Sequence, residues 1–171
     1  MKRIIKILFS VSLLGSFYFC IGQVISSNKK ETENMLKKEV TLIKSVPGGS
    51  RAHIITISRT GKLTYNVGSV SHLERFDWEF VKIDKQYSTV NVQITLAESD
   101  KINRLVENEK TLSYNDKTIV KDNLQYYIYL NARKIAFGYE RNFDKYPPNL
   151  KLLIDSVIKQ IDMLYKISGM S

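Results

Sequence analysis

Cysteine and histidine are scarce in this chain of 171 residues. It has one cysteine, Cys20, and two histidines, His53 and His72. A single cysteine cannot form an internal disulfide, and it leaves no set of thiolates for a structural zinc site. The sequence has no His-x-x-x-His, Cys-x-x-Cys, Gly-x-Ser-x-Gly or phosphate-loop motif. The usual zinc, thiol-redox, serine-hydrolase and nucleotide-binding signatures are therefore missing, and no cofactor is expected.

The first 25 residues have the pattern of an export signal. Basic residues at positions 2, 3 and 6 precede an uncharged apolar run over residues 7–25. Small residues before the break predict cleavage after Gly22, which makes residues 1–22 a signal peptide. Two alternatives stay open: lipidation of Cys20, and an uncleaved signal anchor, because about 20 apolar residues can span a bilayer. In each case the remaining chain is expected outside the inner membrane, in the periplasm or on the outer surface.

Charge is unevenly distributed along the chain. The segment Lys29 to Lys62 holds eight basic and three acidic residues, whereas fifteen basic residues nearly balance fourteen acidic ones from Leu63 onward. This basic segment is either a solvated stretch or a surface that contacts a membrane with anionic head groups or an acidic partner. Nucleic acid is not an expected partner, because the chain is exported and its later basic residues are interleaved with acidic ones.

The polar composition of residues 23–38 predicts a stem, and residues 39–171 are expected to form a single α+β domain. Without disulfides the domain must be stabilised by its core. A chain of about 150 residues can build one, because it buries roughly 70% of its unfolded surface.

A first hairpin is predicted around Gly61, after an initial strand over residues 38–46. A three-residue loop with Gly61 in the left-handed conformation would place Ile57 opposite Leu63 and Ile55 opposite Tyr65. This register keeps these two apolar pairs on one face, whereas a two-residue loop would scatter the apolar side chains.

A second hairpin is predicted between residues 124–130 and 133–140. A two-residue turn at Asn131–Ala132 would create three cross-strand pairs: Tyr126 with Phe137, Tyr127 with Ala136, and Tyr129 with Lys134. A longer turn stays open as an alternative, because Ala132 occupies a position where glycine is favoured.

The remaining pattern predicts two helices and a further hairpin. Strands over residues 80–83 and 87–96 would meet at Asp84–Lys85, and residues 110–123 are expected to form a loop. Thr95 and Glu98 form a capping-box pattern for a helix over residues 98–109. An apolar stripe that includes Ile158 and Ile161 predicts a long terminal helix. The fold class is therefore α+β: an antiparallel β-sheet built from hairpins, packed on one face by a middle helix and a long C-terminal helix.

One short segment carries metal-ligand chemistry. His72, Glu74 and Asp77 lie within six residues, and converging side chains of this kind could serve a metal-dependent hydrolase. Three polar residues in an irregular segment are also common without any such role, so no metal site is assigned. His53, at the end of a hairpin on an apolar face, is interpreted as a structural histidine.

Aromatic side chains offer a stronger functional signal. The predicted register places Tyr127, Tyr129 and Lys134 together on the face of the second hairpin that points away from the core, where they are expected to bind a partner. The alternative is that a second layer covers this face. A further aromatic patch is expected around His72, Phe76 and Trp78, with Trp78 buried.

These patterns predict an exported, non-enzymatic small binding module that binds a protein partner in the cell envelope or extracellular space. An inhibitor or immunity-type protein is one form of this function. The alternatives are a metal-dependent hydrolase that uses His72, Glu74 and Asp77, and a protein that binds carbohydrate or another surface polymer.

Overall fold

The computed structural model describes residues 36–46, 51–85, 90–117 and 123–168. The predicted signal peptide and the stem up to residue 35 lie outside these ranges. No helix in the described ranges has the length and apolar character needed to cross a membrane.

The described chain forms one mixed sheet with helices, which confirms the predicted α+β class. The strands are β1 (Val40–Ser45), β2 (Ala52–Ile57), β3 (Lys62–Val70), β4 (Val81–Ile83), β5 (Val90–Gln93), β6 (Tyr114–Asn115), β7 (Gln125–Leu130) and β8 (Arg133–Tyr139). The α-helices are α1 (Leu96–Glu107) and α2 (Pro148–Ser168), and short 3-10 helices cover Trp78–Phe80, Glu109–Thr111 and Glu140–Lys145.

The strand order is β4-β3-β2-β1-β7-β8-β6, and β5 also pairs with β3. All neighbouring strands are antiparallel except β6 and β8, which are parallel. The strand β1 is therefore central, with β2 on one side and β7 on the other.

The first hairpin has the predicted register. Ile57 lies opposite Leu63 and Ile55 opposite Tyr65, and Gly61 has a φ of 74°. The Ser58 amide donates to the Lys62 carbonyl at 2.9 Å, which closes the loop. Glycine adopts this left-handed conformation without steric cost, and so the three-residue loop fixes the pairing of both strands.

The second hairpin has the predicted two-residue turn but only part of the predicted register. Tyr129 pairs with Lys134 as expected, and a bulge then shifts the ladder so that Tyr127 pairs with Phe137 rather than Ala136. The predicted pairing of Tyr126 with Phe137 is wrong for the same reason. A bulge adds one residue to one strand, and so the side chains of that strand beyond the bulge point to the opposite face from the one expected.

The turn itself carries strain that can be relieved. Asn131 and Ala132 have φ angles of 46° and 66°, a conformation that costs a residue with a Cβ about 1 to 2 kcal/mol. Replacing Ala132 by Gly should therefore raise the free energy of unfolding by about 1 kcal/mol, measured as a higher urea midpoint. Replacing exposed Ala97 in the first turn of α1 by Gly is the control and should lower it, because glycine loses more backbone entropy there than alanine. A lower midpoint for the Ala132 variant would contradict the left-handed turn.

The predicted hairpin about Asp84–Lys85 is wrong. Both of its strands pair with β3: β4 pairs with Gly68–Val70 and β5 pairs with Lys62–Tyr65. They therefore follow one another along the same edge of the sheet. The predicted loop over residues 110–123 also contains the short strand β6, which pairs with β8.

The main core lies between one face of the sheet and both α-helices. Ile102 and Val106 of α1 and Leu150, Leu153 and Ile154 of α2 are at most 1% exposed in this core. The helix α1 begins with the predicted capping box, in which the Thr95 side chain accepts from the Glu98 amide and the Glu98 carboxylate accepts from the Thr95 amide. The apolar stripes predicted for both helices thus face the sheet.

A smaller second core covers the opposite face of the sheet. It comprises Ile43, Ala52, Ile54, Phe76 and Tyr129, with Leu73 packed against it. Phe76 and Leu73 belong to the irregular segment between β3 and β4, and so this segment is the second layer.

The folded domain begins earlier than residue 39. Leu36 is 2% exposed in the main core, and its amide donates to the Arg59 carbonyl. Lys37 and Lys38 pair with Glu107 and Glu109, at 2.8 and 2.7 Å. Residues 36–38 are expected in the polar stem and are instead part of the domain, because the buried Leu36 side chain and the ion pairs of Lys37 and Lys38 hold them there.

Candidate binding groove

Of the three residues predicted to form a binding surface, Tyr129 is not accessible. It is 0% exposed, and its hydroxyl donates to the Leu73 carbonyl at 2.8 Å. Its ring also contacts Phe76, with 5.8 Å between the ring centroids. The expected exposure of Tyr129 is therefore wrong, because the segment that contains Leu73 and Phe76 covers this part of the face.

Tyr127 and Lys134 do reach a common surface feature. They line a groove of about 500 Å³ between the segment at Glu74, the strand β6 and the strand β8. The full lining is Glu74, Ser113, Tyr114, Asn115, Asp116, Tyr127, Lys134, Ile135, Ala136 and Phe137. The groove thus combines two predicted residues with others from distant parts of the chain.

Paired strands hold the aromatic side chains of the groove. Tyr127 and Phe137 face each other across β7 and β8, with ring centroids 4.8 Å apart. Tyr114 lies on β6, and its ring contacts the ring of buried Tyr146 with 4.6 Å between the ring centroids. Because the rings of Tyr114, Tyr127 and Phe137 lie on strands, a ligand would not have to order them on binding.

Charged groups of both signs surround these rings. The Lys134 ammonium donates to the Glu74 carboxylate at 2.7 Å, and the Glu74 side chain is 91% exposed. At the other end, the Asp116 carboxylate accepts from the Asn142 amide. Burial, followed by the nearby hydroxyl of Tyr139 and the carboxylate of Glu74, raises the pKa of Tyr127. The Tyr127 phenol therefore stays protonated at neutral pH and donates to Gln125 Oε1 at 3.1 Å.

The three potential metal ligands do not converge. The His72 ring contacts Phe80 with centroids 4.5 Å apart, Glu74 binds Lys134, and Asp77 caps the Trp78–Phe80 turn by accepting from the Glu79 amide. Among the described residues, no group of three His, Cys, Asp or Glu side chains could hold a metal ion. The convergence that a metal-dependent hydrolase would require is therefore not found at these positions.

The second aromatic patch differs from its prediction. Trp78, expected to be buried, is 42% exposed, whereas Phe76 is 3% exposed and packs edge-on against Trp78 with centroids 5.0 Å apart. The 3-10 turn at Trp78–Phe80 presents Trp78 outward because Phe76 already occupies the second core.

His53 is held by the neighbouring strand. Its Nδ1 lies 2.7 Å from the Tyr65 hydroxyl. Burial and the positive charges of Lys44 and Arg51 lower the pKa of His53, which favours the neutral ring at neutral pH. The His53 ring on β2 therefore forms a polar contact with Tyr65 of the neighbouring strand β3.

The basic segment Lys29 to Lys62 is partly neutralised by the fold. Its described members Lys37, Lys38 and Arg51 form ion pairs with Glu107, Glu109 and Asp84 elsewhere in the chain. Membrane contact through this segment stays a prediction for the remaining basic residues.

No known protein-family model matches this sequence, and no curated protein shows significant similarity to it. Inferences about the function of this chain therefore depend on its groove and on its sequence pattern.

Proposed function

We propose that this chain is an exported, non-enzymatic binding module that uses the groove at Glu74, Tyr127 and Lys134 to bind a protein partner in the cell envelope. The observation that carries the proposal is the convergence of aromatic rings and charged groups in one groove of about 500 Å³ on paired strands. This volume falls within the range of about 300 to 1,000 Å³ that ligand sites commonly have. It is large enough to take one or two side chains of a partner.

The composition of the groove supports recognition of a protein. Tyrosine provides a large contact area for little conformational entropy, and its hydroxyl can remain hydrated. Glu74 and Lys134 add charges of opposite sign at the opening, and complementary charges on a partner would accelerate association and fix its orientation. An inhibitor or immunity-type protein is the narrower form of this proposal, since such proteins act by binding alone.

The interactions within the groove favour binding over proton transfer. Lys134 and Glu74 bind each other, and Asp116 accepts from Asn142. A general base must be placed to accept a proton from a substrate, whereas these charged groups already have partners within the protein.

A surface polymer such as a carbohydrate is the second candidate ligand. It is favoured by one specific observation, the adjacent Tyr127 and Phe137 rings beside the amide of Asn115 and the carboxylate of Asp116. Sugar rings can pack on aromatic rings while their hydroxyls bind amides and carboxylates. The same groove could therefore serve either kind of partner.

The experiment places a photo-crosslinking amino acid at exposed Asn115, on the groove, and at exposed Asp100, in α1, as the control. After illumination of cells that produce the protein, we expect a discrete protein adduct from position 115 and none from position 100. An adduct that contains polysaccharide would favour the second candidate. Identical products from both positions, or none from position 115, would contradict a binding role for the groove.

A matched pair of double variants then tests the charged opening. Glu74→Ala with Lys134→Ala should weaken partner binding at least tenfold, because both charges line the groove. Lys37→Ala with Glu107→Ala removes an exposed ion pair of similar length away from the groove and should leave binding unchanged. Neither double change should unfold the protein, since ion pairs at the surface contribute little to stability. Equal binding by both variants would exclude the Glu74–Lys134 pair from the interface.

A further inference from the structure

A second cavity, of about 270 Å³, lies between the ends of β1, β2 and β3 and the helix α2. It shares no residue with the groove at Tyr127 and Lys134. Its volume is slightly below the range typical of drug-sized ligands, so its occupant should be a small molecule.

Apolar side chains form much of the cavity wall. Ile158 and Ile161 contribute from α2, and Val46 contributes from the end of β1. Val46 is 44% exposed, which makes it one of the few large apolar side chains of the described residues that remain open to solvent. A ligand with an apolar part could cover this surface.

The charged groups at the cavity are mainly positive. Lys44 and Arg51 line it from β1 and from the start of β2, and Asp162 of α2 carries the one opposing formal charge in the lining. His53 also lines the cavity, and burial, followed by the charges of Lys44 and Arg51, lowers the pKa of its ring. Arg51 Nη2 also lies 4.0 Å from Asp84 Oδ2, but a guanidinium has five N–H donors and can bind a second carboxylate. A negatively charged group entering the cavity would therefore have Lys44 and Arg51 as its positively charged partners.

We propose that this cavity binds a small amphipathic anion, namely a carboxylate with a short alkyl chain. The carboxylate would lie near Lys44 and Arg51, and the alkyl chain would contact Val46, Ile158 and Ile161. This binding is independent of the partner bound at the groove.

The probe is octanoate, added to the full chain or to its processed form and followed by NMR of the His53 ring and by calorimetry. We expect binding of one octanoate and a rise in the pKa of His53, because a nearby carboxylate offsets the charges of Lys44 and Arg51. The Tyr65 hydroxyl lies 2.7 Å from the His53 Nδ1, and Asp162 of α2 also lines the cavity. Hexanoate, which lacks two methylene groups, should bind about tenfold more weakly.

Further probes and variants test the contributions of the ligand's charge and of its alkyl chain separately. Octylammonium, with the same chain and the opposite charge, and acetate, without the chain, should both bind at least tenfold more weakly than octanoate. Arg51→Gln and Val46→Ser should each weaken octanoate at least fivefold, whereas Lys82→Gln, on exposed β4, should have no effect. Both test positions are at the surface, and circular dichroism would verify that the variants fold. Equal binding of octanoate and octylammonium, no change at His53, or equal weakening by Lys82→Gln would overturn the proposal.

Discussion

Replacing Ile154 by Asp should leave the protein unfolded at room temperature. Ile154 lies on the face of α2 that packs against the sheet and is 1% exposed in the main core. Burying a carboxylate there without a partner costs several kcal/mol, and the helix must otherwise leave the sheet. This cost is comparable to the total stability of about 5 to 15 kcal/mol that domains of this size have.

Leu152 provides the matched control for this change. It lies two residues earlier in the same helix and is 45% exposed. Leu152→Asp should shift the melting temperature by only a few degrees, because its carboxylate would remain hydrated. Far-ultraviolet circular dichroism of both variants measures the comparison. Similar melting temperatures for the two would show that the Ile154 face of α2 does not pack on the sheet.

Replacing Gly138 by Ala should lower the free energy of unfolding by about 3 kcal/mol. An added Cβ would lie 2.5 Å from Cζ and 2.8 Å from Cε1 of Tyr146. The Tyr146 ring cannot easily move away, because it is 3% exposed and its hydroxyl donates to the Tyr139 carbonyl at 3.0 Å. The rings of Tyr114 and Phe143 also pack beside it. Overpacking of this kind typically costs about 1 to 3 kcal/mol.

A double-mutant cycle isolates the clash at Gly138. In a Tyr146→Ala background the added methyl has space, so Gly138→Ala should have almost no effect or should stabilise slightly. Urea unfolding of the four proteins gives the coupling free energy. An equal loss in both backgrounds would assign the cost to the backbone at Gly138 rather than to the Tyr146 ring.

Local patterns predicted the parts of the fold that local chemistry determines. The loop at Gly61 and the alternation on both sides of it favour the one register that keeps Ile55, Ile57 and Leu63 on one face. The Thr95–Glu98 capping box likewise marks the start of α1 within two residues of the predicted position. In both cases the signal and the structure involve the same few neighbouring residues.

The wrong predictions concern alternatives that the local sequence pattern does not distinguish. Ile135, Ala136 and Phe137 are all apolar, and so alternation cannot show where β8 contains a bulge. Ile135 and Ala136 consequently both contact the main core, although they are adjacent. The strands β4 and β5 have clear strand patterns, yet a pattern of period two does not identify the partner strand.

The candidate groove was predicted only in part for a similar reason. Tyr127 and Lys134 come from the hairpin that the sequence does predict, whereas Glu74 and Tyr114–Asp116 come from segments that had no assigned place in the fold. The burial of Tyr129 did have a sequence signal. Ile43 and Ile54 are apolar and point to the same face, and strands that are apolar on both faces are typically buried on both.

The central position of β1 has a mechanical consequence. The chain enters the domain through Leu36 and continues directly into β1, which pairs with β2 and β7 along all six of its residues. A force applied to the chain before Leu36 would pull on this strand along its own axis. Extraction of β1 would then require both hydrogen-bond ladders to break together, and the domain should resist tension at this end more strongly than it would if its chain entered through an edge strand.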